Sequence, residues 1–292
     1  MLNKNSLKKK IFIIGSSGLL GNQLYHYIKK KHIVYNNGLK KRKFNLLKYN
    51  KIEKYINKIQ PNLIINCSAI TNIDYCNKNK KHAYQVNVLV VKNIFNILKK
   101  NKIKCKIIQI STDQFYNNKN YIKNVESKKN YLNYYTNTKL MVEKECMKNK
   151  SIVIRTNFFG KSNSKKKSFT DWIYKSFKSK KNFYLFEDVF FSPLSIKTLC
   201  KMINLVVEKY DSVTGIYNIG SRKRMSKKEF AVFFAKKCGI YKNNFKAVKS
   251  SKFFKIRRPQ FMQMNINKFE KKFKIKLPNL KKEITFESKN YL

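Results

Sequence analysis

Glycine and alanine are scarce in this chain of 292 residues: there are eight glycines, and alanine occurs only at Ala69, Ala83, Ala231, Ala235 and Ala247. Acidic residues are also few, 15 Asp and Glu against 66 Lys and Arg, for a formal net charge of +51. No apolar run approaches the roughly 18 residues that a membrane-crossing helix needs, so no membrane span is expected. His26, His32 and His82 stand apart from one another and from the cysteines, so no metal-ligand spacing is formed and no metal is expected. Cys67, Cys76, Cys105, Cys146, Cys200 and Cys238 show no paired spacing and sit largely in apolar runs. That is the usage of reduced thiols, and a cytoplasmic location is expected. Internal repeats and long low-complexity linkers are absent too.

A charge of this size suggests nucleic acid or an anionic membrane surface. The lysines, however, are dispersed along the whole chain and come with abundant Asn, Ile, Phe and Tyr. These residues share A/T-rich codons, so genome composition accounts for most of the basicity. The shortage of Asp and Glu has no such origin and leaves room for a preference for anionic ligands. Nucleic acid is not the expected partner; small phosphorylated ligands are anions as well.

Against this scarcity, three of the eight glycines form Gly15-x-x-Gly18-x-x-Gly21. The apolar run Ile11 to Ile14 precedes them and the helical pattern Leu19, Leu20, Leu24, Tyr27, Ile28 follows. A strand that turns into a helix in this way offers free N–H groups and the positive end of the helix dipole to a pyrophosphate. A secretory leader is the rival reading, with Lys8 to Lys10 before an apolar stretch. The glycine spacing and the unbroken βαβ pattern that follows favour dinucleotide binding.

Strand-length apolar runs alternate with helical patterns: Ile11–Ile14, a helix to Lys30, His32–Tyr35, a helix near Leu47–Ile59, Asn62–Cys67, a helix near Lys81–Leu98, Lys106–Ile110, a helix near Tyr131–Met147, and Ile152–Arg155. This predicts an α/β fold, a doubly wound parallel sheet covered on both faces. Residues 1–160 form the dinucleotide-binding domain in this reading, with elements near 194–220 packing on it. A smaller, mixed substrate lobe comprises mainly residues 161–292. It carries helical stretches at Trp172–Phe177, Ile196–Val207 and Ser226–Cys238, short strands at Phe183–Phe186 and Gly215–Ile219, and a Lys-rich tail. A substrate is expected in the cleft between the two.

Tyr135-x-x-x-Lys139 lies in a predicted helix, where a separation of four puts both side chains on one face. A phenol working at neutral pH needs a neighbouring cation, and Lys139 is placed to supply it. Ser111-Thr112-Asp113 ends an apolar strand, the position at which open α/β sheets bind ligands. A turn or helix cap is the plainer reading of Thr112.

Taken in order, Gly15-Ser16-Ser17-Gly18-Leu19-Leu20-Gly21, Asn66 to Asp74, Val86-Asn87, Ser111-Thr112-Asp113, Tyr135 with Lys139, Arg155-Thr156-Asn157, Phe191-Ser192-Pro193 and Arg257-Arg258-Pro259 run through most of the chain. The set resembles the extended short-chain dehydrogenase/reductases, and within them the dTDP-4-dehydrorhamnose reductase-like sugar-nucleotide proteins. The resemblance implies a triad: Tyr135 protonates the carbonyl oxygen of a keto sugar while a nicotinamide delivers hydride, Thr112 holds that oxygen, and Lys139 lowers the tyrosine's pKa and binds the nicotinamide ribose. It implies cofactor contacts from Gly15, Ser17, Gly18, Leu19, Leu20, Gly21, Arg42, Asn45, Cys67, Ser68, Ala69 and Asn87, besides Tyr135 and Lys139. Substrate contacts fall to Thr71, Asp113, Asn157, Ser192 and Arg258, the last suited to a diphosphate.

Three positions depart from the family's pattern. The related dehydratases carry Asp-Glu where this chain has Asp113-Gln114, and an amide cannot abstract a proton, so dehydration is disfavoured. Phe158 stands near the usual tryptophan, and Asn45 stands in for an acidic adenine-side residue. After the second strand, Asn36 to Lys43 holds no carboxylate but does hold Arg42, which favours NADPH over NADH. The expected activity is NAD(P)H-dependent reduction of a nucleotide-activated 4-keto-6-deoxy sugar for surface polysaccharide. A nucleotide-sugar epimerase with bound NAD and a non-catalytic dinucleotide-binding subunit are the alternatives. A nucleotide-diphosphate sugar is the expected partner, and the sequence leaves monomer and homodimer open.

Overall fold

A computed structural model describes residues 8–39, 44–117, 119, 125–126, 131–162 and 167–292. Six strands form its central parallel sheet: β1 (Lys10–Ile14), β2 (Ile33–Asn36), β3 (Leu63–Asn66), β4 (Lys106–Thr112), β5 (Ile152–Thr156) and, from much later in the chain, β10 (Gly215–Ile219). They lie in the order β10-β5-β4-β3-β1-β2, every neighbour parallel. β3 is buried along its whole length, as a strand covered on both faces must be.

Successive residues of a strand point to opposite faces, and the two cores divide accordingly. Ile11, Ile13, Ile65 and Ile108 pack with α1 (Leu19–Ile28), α8 (Ile196–Glu208) and α10 (Asn267–Phe273). Phe12, Ile14, Ile64 and Ile107 pack with α2 (Tyr49–Ile59), α5 (Val90–Lys100) and α6 (Tyr134–Lys148). α2 shows why such lysine-rich segments still fold: Ile52, Ile56 and Ile59 are buried at helical spacing, and its lysines occupy the remaining positions. Between β3 and α5 the chain forms α3 (Ile73–Lys78) and α4 (Lys80–Tyr84). A π-helical stretch, Gln85–Leu89, then joins α4 to α5. Among the described residues, no helix is long and apolar enough to cross a membrane.

A third core, rich in phenylalanine, includes Ile173 and Phe177 of α7 (Phe169–Lys178), Leu185 of β7 (Phe183–Phe186), and Phe230 and Phe234 of α9 (Lys227–Lys237). Short strands complete this part. β6 (Phe158–Phe159) pairs with β9 (Leu194–Ser195), β8 (Phe190–Phe191) with β11 (Met225–Ser226), and β7 with β12 (Phe245–Val248). The Lys-rich tail is more ordered than its composition suggests, because α10 and α11 (Leu280–Ser288) bury Phe269, Phe273, Leu280 and Ile284 and leave most of their lysines outside.

Candidate active site

The strand order reverses around β1, and the turns after β1 and β3 meet there. Gly15 has φ +78°, and a Cβ on it would come within 2.7 Å of the Ser68 nitrogen. A Cβ on Gly21 would stand 2.2 Å from the Gly15 carbonyl oxygen. Both positions therefore require glycine. Gly18 is the N-cap of α1 and provides no side-chain cap, so the first-turn N–H groups are open to a ligand. Asn37 Oδ1 accepts from the Gly15 N–H at 3.0 Å, and Ser16 Oγ accepts from the Gly38 N–H at 3.1 Å, which ties the end of β2 to the glycine turn.

A cavity of about 320 Å³ opens beside this turn. It is lined by Gly18, Leu19, Leu20 and Gly21 on one side, by Cys67, Ala69 and Thr71 from the loop after β3, and by Thr112, Asp113, Tyr135, Lys139 and Asn157 opposite. β4 extends two residues beyond the expected Ile110, which brings Thr112 to the carboxyl end of the sheet. Asn133 caps α6 in a reciprocal capping box with Thr136, fixing where the helix begins and hence where Tyr135 lies.

Tyr135 and Lys139 lie on one face of α6 and are both buried. Burial pushes the Tyr135 phenol well above its usual value of 10; the hydrogen bond with Thr112 opposes this, and Asp113 adds to it. The Lys139 ammonium donates to the Ile110 carbonyl at 2.7 Å. Burial brings Lys139 down to about 8, with Glu143 opposing. Tyr135 thus holds its proton at neutral pH and is poised as a donor. Thr112 also makes the turn contact of its plainer reading, accepting from the Gln114 N–H at 3.2 Å.

Asp113 is 2% exposed. Burial pushes its carboxyl up to about 6 against the opposing influence of the Asn157 amide, which donates to Oδ2 at 2.8 Å, and of Lys227. Lys227 is itself brought down to about 8 by burial, with Asp113 raising it and Arg258 lowering it. Its ammonium lies 4.2 Å from the centre of the Phe169 ring and 4.5 Å from that of Phe191. It lines a second, aromatic cavity of about 210 Å³ with Trp172, Tyr184, Phe186, Phe254 and Arg258.

The remaining candidates fall elsewhere. Ser17 is exposed in the glycine turn, and Ser68 backs onto Gly15. Asn87, in the π-helical stretch, clamps the loop after β3: it accepts from the Ile70 N–H at 2.7 Å and donates to the Ile70 carbonyl at 3.1 Å and to Thr138 Oγ1 at 3.0 Å. Asn45 is exposed and turns the chain toward α2 by accepting from the Leu47 N–H at 2.8 Å. Ser192 lines neither cavity; it is 1% exposed, and its carbonyl accepts from the Ser221 N–H at 2.9 Å. Arg258 stacks 3.7 Å above the Phe254 ring and donates to Asp74 at 2.6 Å. Arg42 lies outside the described residues.

A family model described as the RmlD substrate binding domain matches residues 9–291. The chain belongs to this family. It is 24% identical over 237 residues to the Bacillus subtilis spore coat polysaccharide biosynthesis protein SpsK, covering 79% of this chain and 80% of that protein. It is 25% identical over 245 residues to dTDP-4-dehydrorhamnose reductase of Escherichia coli, covering 78% and 79%. Its fold matches that of dTDP-4-dehydrorhamnose reductase from Bacillus anthracis in complex with NADP, with a TM-score of 0.85 at 21% identity over 98% of this chain and 100% of that one.

In this member of the RmlD family, two parts of the site went unread in the sequence. One is Lys227, a single lysine among dozens. The other is a buried ion pair beneath the cleft: Arg155, fully buried, donates to Glu143 at 2.9 Å through Nε and 2.6 Å through Nη2, and to Tyr116 at 2.7 Å through Nη1. Ser111 donates to the same carboxylate at 2.6 Å. Arg155 interrupts an apolar strand, and a charge in such a place implies a buried partner. That was the available signal.

Proposed function

We propose that this chain is an NADPH-dependent reductase of a nucleotide-linked 4-keto-6-deoxy sugar, acting in the cytoplasm to supply deoxysugars for surface polysaccharide. One observation carries the reading: the uncapped, glycine-bound start of α1 and the trio Thr112, Tyr135 and Lys139 line the same cavity. The names of the relatives agree with it. Residues 1–160 with the elements near 194–220 serve as the dinucleotide-binding part, and the rest of 161–292 serves mainly as the substrate lobe.

The residues present fit a dinucleotide. Gly15 and Gly21 let the turn close on backbone too tightly for a Cβ, which fixes the start of α1, and the open N–H groups of α1 suit a pyrophosphate. When bound, such a cofactor supplies the hydride. The chain's own residues manage charge and protons. Tyr135 and Thr112 direct their hydroxyls at the carbonyl oxygen, where negative charge builds as the carbon is reduced, so they stabilise the transition state more than the ground state. The phenol, held protonated by burial, passes its proton to that oxygen. Lys139 would hold the cofactor's ribose hydroxyls, and Lys227 with Arg258 would take the substrate diphosphate. Asp113 and Asn157, joined by their hydrogen bond, hold sugar hydroxyls beside the reacting carbon.

The test follows NADPH and NADH absorbance with dTDP-, UDP- and GDP-linked 4-keto sugars, using the wild type and Tyr135→Phe. Substrate-dependent, stoichiometric oxidation of NADPH is expected, falling about 10²- to 10⁴-fold in the variant with dinucleotide binding retained. Sugar conversion without net cofactor oxidation would instead mark an epimerase, and binding without turnover would mark a non-catalytic subunit. Light scattering on the same preparation distinguishes monomer from homodimer.

A further inference from the structure

Among the described residues, Gln114 is the one that lines both the cleft and the aromatic cavity. Its backbone is fixed to the catalytic end of β4 through the 3.2 Å bond from its N–H to Thr112 Oγ1. Its side-chain oxygen Oε1 is buried and accepts no hydrogen bond from any described residue. A buried carbonyl oxygen left without a donor is unfavourable, so a turn of this half-buried side chain, which lines both cavities, that brings the oxygen to an N–H or O–H of a ligand passing between them is favoured.

The surroundings say which part of the ligand that is. On the cleft side, Thr112 and Tyr135 address the reacting carbonyl. On the aromatic side, Lys227 and Arg258 provide the cations that phosphate oxygens require. Phosphate oxygens only accept hydrogen bonds, so an acceptor at the junction matches neither the diphosphate nor the carbonyl. Between those groups in a nucleotide-linked 4-keto sugar lie C2 and C3, and their hydroxyls can donate. We infer that Gln114 is a specificity-determining residue whose Oε1 accepts a hydrogen bond from a C2 or C3 hydroxyl of the sugar. Being neutral, it does so without adding a negative charge beside Asp113 or near the diphosphate. This inference rests on the reductase reading and names the group by which the same site selects its sugar.

The experiment measures kcat/KM of the full chain with NADPH for dTDP-4-dehydrorhamnose and its 2-deoxy and 3-deoxy counterparts, in the wild type, Gln114→Leu and Gln114→Glu. A site built around a hydroxyl strongly penalises the analogue that lacks it. The wild type is expected to disfavour one of the deoxy sugars by about 10- to 100-fold, the size of one or two hydrogen-bond increments. In Gln114→Leu this preference collapses, through loss on the hydroxylated sugar alone; in Gln114→Glu, which keeps an acceptor, it persists. An unchanged preference in Gln114→Leu, or an equal loss on all three sugars, overturns the inference. If the wild type reduces none of them, the reductase reading fails, and calorimetric binding of dTDP-rhamnose and its deoxy counterparts decides the role of Gln114. Equal discrimination by wild type and Gln114→Leu in that assay overturns it.

Discussion

Asp113→Asn is expected to stabilise the protein at neutral pH while impairing its activity. Burial raises the Asp113 carboxyl from its ordinary 3.8 to about 6, so the folded state holds this proton more tightly than the unfolded state does. Below about pH 4 the group is protonated in both states and exerts no penalty. As pH climbs toward 6 the unfolded carboxyl ionises freely and the folded one does not; above that the penalty saturates at about 3 kcal/mol. An asparagine has no such penalty, and its amide oxygen can still accept from Asn157, which donates to Asp113 at 2.8 Å. Urea denaturation of both proteins from pH 4 to 8 should give curves that coincide at the acid end and diverge by up to about 3 kcal/mol at pH 7. Turnover should move the other way, because a carboxyl kept in an unfavourable place inside a cleft reflects a functional demand. Stability curves that run parallel across the whole range would refute the reasoning, since the penalty would then not arise from ionisation of Asp113.

Gly21→Ala forces a methyl group to within 2.2 Å of the Gly15 carbonyl oxygen, so the turn must open. Dinucleotide affinity, read by quenching of protein fluorescence, should fall at least about 100-fold (roughly 3 kcal/mol) with the circular dichroism of the fold retained. Glu143→Leu leaves the fully buried Arg155 unpaired and should lose about 3–5 kcal/mol in urea denaturation, while the double variant Glu143→Leu/Arg155→Met recovers most of it. Lys227→Met should raise KM for the nucleotide sugar about tenfold or more with a smaller effect on kcat, as removal of a diphosphate contact would. A normal KM would place the diphosphate elsewhere.

The parallel character of the central sheet was legible because its first strands are short apolar runs, each followed by a helix, and buried parallel strands leave little room for another pattern. Helix ends were less so. α6 begins at Tyr134 because Asn133 caps it, three residues later than periodicity places it, and the tail helices were hidden by lysines that hydropathy counts as polar whichever way they face. α10 shows the compromise: Phe269 and Phe273, four residues apart, bury one stripe of a seven-residue segment that otherwise reads as solvated.

The site divides by the same logic. Glycines can be read at Gly15 and Gly21 because a close backbone approach admits nothing else, and Tyr135 and Lys139 because helical spacing fixes their common face. What Lys139 does there could not be read, since it depends on whether its ammonium reaches the phenol or the Ile110 carbonyl, a matter of ångströms. Lys227 and the position of Gln114 between two cavities were harder still. Lys227 lies in no motif, Gln114 could be read only as the amide of the Asp113-Gln114 pair, and both line an aromatic cavity that residues 169–189 and 250–262 largely build beside the cleft. Chemistry carried by one strand, one turn or one helix is written locally, whereas the selection of a substrate arises where distant segments meet. In this chain the local part would serve any nucleotide-linked keto sugar. In the proposed reading, the meeting of Asp113, Gln114 and Lys227 is what narrows the choice.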